Sequence, residues 1–127
     1  MPKLPRPTGG ELKILQVLWR VGPSTVREVR EALDEKPQAG YTTVLKLLQI
    51  MAAKGLVARD EKGRAHVYRA RLPRQTTQRQ LLGDLLERAF GGSALELVMQ
   101  ALSTKQASAE EIAAIRRLLD EYERSRS

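Results

Sequence analysis

The hydrophobic pattern changes its period at Gly55, and this change limits the folds that the chain can adopt. Residues 41–54 repeat apolar side chains at positions i, i+3, i+4 and i+7, which is typical of an amphipathic helix that a glycine can end. These side chains are Val44, Leu47, Leu48 and Met51. Residues 56–59 and 65–69 are then predicted to be short strands joined by the turn 60–63. The sequence thus predicts a helix followed directly by a β-hairpin.

Further helices are predicted on both sides of this segment. The predicted helices cover residues 9–21, 25–35, 41–54, 77–90, 93–102 and 109–124. Five of them start with Ser or Thr followed three residues later by Glu or Gln, which is the pattern of a capping box. The five hydroxyl residues are Thr8, Thr25, Thr77, Ser93 and Ser108. Because three helices and a hairpin are the parts of a winged helix-turn-helix, we expect a mainly α fold, with a winged-helix DNA-binding domain at 1–72 and an α-helical dimerisation domain at 73–127.

The composition excludes most classes of enzyme. The 127 residues include no Cys and a single His, so thiol nucleophiles, thiolate metal sites and multi-His centres within one chain are excluded. A glycine-rich phosphate loop is also lacking. We therefore expect no enzyme activity and no catalytic residue, metal or cofactor. Since the chain has neither a membrane-spanning apolar run nor the apolar core of a signal peptide, we expect a cytoplasmic protein.

The positive charge is confined to one half of the chain. The whole chain has a net charge of +7. Residues 1–71 hold 14 Lys and Arg against 7 Asp and Glu, whereas residues 72–127 hold 8 of each kind. This asymmetry indicates that the first half meets a polyanion and that the second half has another task.

Small polar and basic side chains in the first half are suited to contact DNA. On the helix at 41–54 they lie opposite the apolar stripe, where hydroxyls, amides and a cation can reach phosphates and base edges. Others lie at the hairpin tip, where a wing would follow the backbone, and at the start of the second helix, where a phosphate contact is an alternative to simple capping. The predicted DNA-binding residues are Thr42, Thr43, Lys46 and Gln49 on the helix, Lys62 and Arg64 on the hairpin, and Ser24 and Thr25 at the second helix.

The second half carries more apolar residues than three short helices can bury among themselves. A symmetric dimer is the commonest way to cover such a surface, so we expect a homodimer. The predicted dimerisation residues are Leu81, Leu82, Leu85, Leu86, Phe90, Leu95, Val98, Leu102, Ile112, Ile115 and Leu119.

These features together resemble one family of bacterial repressors. The motifs that carry the resemblance are YTTVLKLL at residues 41–48, KGLV at 54–57, Gly63-Arg64 and Tyr68. On these residues the chain is similar to the BlaI/MecI/CopY family, and the similarity extends over nearly the whole chain. The resemblance implies a homodimeric winged-helix repressor that binds a palindromic operator, with C-terminal helices that interlock the two copies.

The resemblance also implies a route of induction. In the β-lactam-responsive members of the family, a membrane sensor with a metalloprotease domain leads to cleavage of the repressor in its C-terminal half. The corresponding bond here is Gln100-Ala101, whose residues differ from the Asn-Phe of the penicillinase repressors. The copper-responsive members use a cysteine motif that this chain lacks, which excludes copper sensing through thiolates.

Two other functions stay open at this point. The chain is alternatively a winged-helix adaptor that binds proteins, or a repressor controlled by a small-molecule effector. An adaptor would show no salt-dependent affinity for duplex DNA, whereas phosphate contacts give a steep salt dependence.

Overall fold

A computed structural model describes residues 4–33, 39–61 and 63–126. Its elements are α1 (Gly9–Val21), β1 (Ser24–Thr25), α2 (Val26–Ala32), α3 (Tyr41–Lys54), β2 (Val57–Asp60), β3 (Val67–Ala70), α4 (Arg74–Phe90), α5 (Ala94–Thr104) and α6 (Ala109–Arg126). This mainly helical chain with one small antiparallel sheet confirms the predicted fold class.

The chain divides into two compact units. The N-terminal unit ends at Gly83 and the C-terminal unit begins at Asp84, so the division lies inside α4. The sequence places a domain boundary at Leu72-Pro73, before α4, and that boundary stays a prediction.

Two of the predicted capping boxes are complete. The Thr8 hydroxyl accepts from the Glu11 N–H at 3.2 Å, and the Glu11 carboxylate accepts from the Thr8 N–H at 2.8 Å. The same pair of bonds joins Thr25 and Glu28 at 3.2 and 3.0 Å. Each box gives a hydrogen-bond acceptor to two backbone N–H groups at a helix start. As a result, α1 and α2 begin within one residue of the predicted positions.

The later helix starts follow the predictions less closely. The hydroxyls of Ser93 and Ser108 each accept from the backbone N–H three residues later, at 3.1 Å, as predicted for α5 and α6. The predicted start of α4 at Thr77 is wrong. The helix begins at Arg74, since the carbonyl of Pro73, directly before it, accepts from the N–H groups of Thr76 at 3.1 Å and Thr77 at 3.4 Å.

The second predicted helix is shorter than expected. It ends at Ala32, and the next residue, Leu33, is extended while its N–H still donates to the Val29 carbonyl at 3.0 Å. The remaining predicted residues, 34 and 35, and the breaking residue Pro37 lie outside the described residues.

The predicted hairpin is present, but it belongs to a three-stranded antiparallel sheet in the order β1-β3-β2. The strands of the hairpin lie one or two residues later than predicted. One reason is Leu56, whose N–H donates to the Met51 carbonyl at 2.9 Å and so completes the end of α3. The first strand, which pairs Thr25 with Val67, was not predicted, because two residues are too short to show a period.

The core of the N-terminal unit lies between α1, α2, α3 and the sheet. In α3 the predicted stripe residues Val44, Leu48 and Met51 are fully buried, while Leu47 is half-buried. The indole N–H of Trp19 donates to the Leu72 carbonyl at 3.0 Å, which fastens the segment after the sheet to α1. The buried apolar residues are Ile14, Leu15, Val17, Leu18, Val26, Val29, Leu33, Val44, Leu48, Met51, Leu56, Val57 and Tyr68.

A buried carboxylate connects the start of α1 with the end of α3. Glu11 is only 2% exposed, and its Oε1 lies 2.6 Å from Nζ of Lys54, the last residue of α3. Burial alone would raise the pKa of Glu11, but the hydrogen bonds from Lys54 and Thr8 and the charge of Lys54 outweigh it and hold that pKa below its usual value. The ion pair therefore stabilises the fold only while Glu11 is ionised.

We expect Glu11→Gln to lower the free energy of unfolding by about 1–2 kcal/mol at neutral pH, because a charge-assisted bond becomes a neutral one. Since the folded-state pKa lies below the unfolded-state value, this stabilisation is present above the unfolded-state pKa and is lost as the pH falls through the folded-state value. Denaturant unfolding between about pH 7 and about pH 3 should therefore show the two proteins converging in stability.

Glu31→Gln, at an exposed carboxylate of α2, is the matched control and should change the free energy of unfolding by less than about 0.5 kcal/mol. A difference between wild type and Glu11→Gln that is absent, or that stays constant over this pH range, would contradict the assigned role of the ion pair.

Candidate nucleic-acid interface

The outer face of α3 carries the predicted DNA-binding side chains. Thr42, Thr43, Lys46 and Gln49 are all exposed, and we call this set the reading face. The opposite side of the helix is fixed in the core by the buried stripe. No Asp or Glu occurs between residues 41 and 54, so the reading face presents hydroxyls, an amide and a cation without a carboxylate of its own helix.

The hairpin residue Arg64 is exposed and lies in a cleft of about 450 Å³ together with the start of α2 and the start of α3. We call this the wing cleft. Its lining residues are Thr25, Val26, Arg27, Tyr41, Leu45, Arg64, Ala65 and His66. The other predicted hairpin residue, Lys62, lies outside the described residues.

The two predicted residues at the second helix differ in position. Ser24 is 1% exposed, and its hydroxyl donates to the Gly22 carbonyl at 2.8 Å. This side chain therefore points away from solvent, contrary to the expectation that it faces a bound phosphate. Thr25 is half-buried and lines the wing cleft, but its hydroxyl accepts from the Glu28 N–H. The hydrogen bonds from the Thr25 N–H and hydroxyl lower the pKa of Glu28.

Arg27, Tyr41 and His66 line the wing cleft, although the sequence pattern does not predict them as DNA-binding residues. The pairing of β1 with β3, which sets Thr25 opposite Val67, brings the start of α2 beside the hairpin. Without that pairing, nothing in the sequence indicates that these three residues are neighbours. One signal in the sequence could have indicated Arg27, namely a basic residue two positions after the predicted helix cap Thr25.

The predicted dimerisation residues are exposed or half-buried, and none is buried. Leu82, Leu85, Leu95, Val98, Leu102, Ile112 and Leu119 are exposed, whereas Leu81, Leu86, Phe90 and Ile115 are half-buried. Across residues 84–126, which include most of them, not one side chain is buried. The C-terminal unit thus keeps its apolar side chains accessible to a partner.

The residues of the predicted cleavage bond, Gln100 and Ala101, are exposed and lie within α5. The carbonyl of Gln100 accepts from the Thr104 hydroxyl at 2.7 Å. A protease that needs an extended substrate would therefore have to open this part of the helix first.

Two further properties concern the residues that the structure describes. None of their helices is both long and apolar enough to cross a membrane. The same residues contain no group of three or more His, Asp or Glu side chains that could hold a metal ion.

The fold and the exposed polar helix define the class of protein. Three helices, the third of which has an exposed polar face, and a hairpin form a winged helix-turn-helix unit. The chain matches the family model of the penicillinase repressor over residues 7–121. It therefore belongs to the penicillinase repressor family, whose members are winged-helix transcriptional repressors, and the resemblance found in the sequence is confirmed.

Individual relatives agree with this assignment. The chain is 35% identical over 124 residues to the transcriptional regulator BlaI of Mycobacterium tuberculosis strain H37Rv, covering 97% of this chain and 89% of the relative. The BlaI of strain CDC 1551 gives the same values. The penicillinase repressor of Bacillus licheniformis is 25% identical over 122 residues, covering 96% of this chain and 95% of the relative.

Proposed function

We propose that the protein represses transcription by binding a palindromic DNA operator as a homodimer, with α3 of each copy in a major groove and the hairpin beside the flanking backbone. The observation that carries this proposal is the reading face, an exposed polar and cationic surface on a helix whose other side is fixed in the core. Membership of a family of transcriptional repressors supports DNA as the ligand of that surface.

The side chains of the reading face have the chemistry of base and phosphate contacts. A Gln amide such as that of Gln49 can pair with adenine, and the methyl group of a threonine can pack on the methyl group of thymine. Lys46 and Arg64 supply cations that attract phosphates and raise the rate of association. The net charge of +7 on residues 1–71 favours this half as the one that meets DNA.

Lys46→Ala and Arg64→Ala should each weaken binding to a selected operator duplex and lower the slope of log affinity against log salt by about 1, because each removes one phosphate-neutralising charge. Fluorescence anisotropy of a labelled duplex over a salt series measures both quantities. The free energy of unfolding should change by less than about 0.5 kcal/mol, because both side chains are exposed.

Arg79→Ala is the matched control, since it removes one charge from an exposed position of α4. It should retain the affinity and slope of the wild type. Unchanged binding by both Lys46→Ala and Arg64→Ala would show that the DNA interface lies elsewhere on the protein. Duplex binding without salt dependence would favour the adaptor function.

We propose that the C-terminal unit joins the two copies. Its support is the accessible apolar surface of α5 and α6, where Leu95 is 71% and Leu119 is 60% exposed. Linking two winged helices makes the second half-site contact intramolecular and so raises the overall affinity. Two-fold symmetry of the dimer requires inverted half-sites, and binding on one face of the duplex places their centres about 10 base pairs, or a multiple of that, apart.

Leu102→Asp and Val98→Asp should shift the protein from dimer to monomer, because each places a charge in an apolar interface. Operator affinity should then fall by about 100-fold or more, since the second contact is no longer linked to the first. Analytical ultracentrifugation and anisotropy on the same samples test both effects.

Gln106→Asp, at an exposed polar position between α5 and α6, controls for the added charge and should stay dimeric. All three variants should give near-wild-type circular dichroism spectra, which would show that the chain still folds. A wild type that is monomeric at the concentrations where it binds operator would contradict the dimer.

We further propose that the inducing signal acts on the C-terminal helices, at Gln100-Ala101 or elsewhere in residues 77–124, through a membrane sensor and protease or through another route. A cut after Gln100 would remove α6 and the end of α5, and with them Leu102, Ile112, Ile115 and Leu119. The reading face would stay intact, but the two half-site contacts would no longer be linked.

A further inference from the structure

We propose that the wing cleft binds one backbone phosphate of the duplex, with Arg27 and Tyr41 acting as phosphate-binding residues beside Arg64. This proposal rests on the proposed function and identifies which part of the DNA this cleft holds. It extends the interface from the reading face to the start of α2.

The cleft gathers cationic and polar groups from three separate elements. Arg27 comes from α2, Tyr41 is the first residue of α3, and Arg64 precedes β3. Pairing of Thr25 with Val67 fixes the start of α2 against the hairpin, and the chain brings these groups together inside one compact unit. Two of the groups stand on helices that are anchored in the core, so the backbone positions from which Arg27 and Tyr41 extend are fixed before DNA binds.

The donors in the wing cleft suit a phosphate. The guanidinium groups of Arg27 and Arg64 can each form two parallel hydrogen bonds to phosphate oxygens, and the Tyr41 hydroxyl and the His66 ring can donate one more each. All four side chains are exposed and accessible to a ligand.

The surroundings favour an anion. None of the lining residues that the structure describes carries a carboxylate. The carboxylate next to Arg27 in the chain, that of Glu28, instead accepts from the Thr25 N–H at 3.0 Å. Buried Val26 and half-buried Leu45 provide an apolar wall, beside which charge interactions are stronger than in open water.

The position of Tyr41 relates the cleft to the reading face. Tyr41 immediately precedes Thr42 and Thr43, so a phosphate held by Tyr41 lies at the N-terminal end of the reading face. When a recognition helix enters the major groove by its N-terminal end, the phosphates at the groove edge lie beside that end. A contact there sets the depth and register of the helix and does not distinguish one base from another.

The full-length protein is to be measured by fluorescence anisotropy with a selected operator and with a random-sequence duplex, over a salt series. Arg27→Ala should weaken both complexes by the same factor, about 10-fold to 100-fold, and lower the salt slope by about 1. Tyr41→Phe, which removes only the hydroxyl, should weaken both by about 2-fold to 10-fold. Arg79→Ala remains the control and should leave both affinities unchanged.

Three results would overturn the proposal. Arg27→Ala with wild-type affinity and slope would remove Arg27 from the interface, and an effect on the operator alone would mean a base contact. Saturable binding of inorganic phosphate at constant ionic strength, lost in Arg27→Ala while duplex binding is unaffected, would assign the cleft to a free anion. A wild type that binds neither duplex would overturn the proposed function itself, which distinguishes that failure from failure of the cleft alone.

Discussion

The ion pair between buried Glu11 and Lys54 joins the start of α1 to the end of α3 and acts together with the buried apolar stripe to place α3. Glu11 accepts from the Thr8 N–H and from Lys54 Nζ, so one carboxylate caps the start of α1 and binds the end of α3. Gly55 follows in a left-handed conformation, with φ of 86°, and directs the chain into the sheet. A buried charge is stable only with such partners, so removal of Lys54 would leave the Glu11 carboxylate buried without its cation.

The short β1–β3 pairing also positions the proposed DNA-binding surface. It joins the start of α2 to the hairpin, so the reading face and the wing cleft become parts of one surface. The two surfaces then have different proposed tasks, base recognition for the reading face and positioning on the backbone for the wing cleft. The C-terminal unit, whose apolar side chains are accessible, is proposed to determine whether two such surfaces act together.

The sequence predicts what local periodicity and capping determine, and it does so closely for α1, α3 and the hairpin. It does not predict β1, because a two-residue strand has no period, and the neighbours in the wing cleft depend on that strand. Ser24 illustrates the same limit, since the pairing of its strand turns the hydroxyl inward. Glu11 is predicted as a capping residue, but its second partner, Lys54, is distant in sequence and becomes visible only in the fold.

Binding of a symmetric DNA site by two copies of the reading face and wing is tested most directly by selection of bound duplexes from a random library. The full-length protein is used, and the selected duplex is then footprinted with hydroxyl radicals. We expect an inverted repeat protected on one face of the helix, with two protected regions centred about 10 base pairs, or a multiple of that, apart. Recovery of unrelated sequences without a shared site, or of a single asymmetric protected region, would contradict the account.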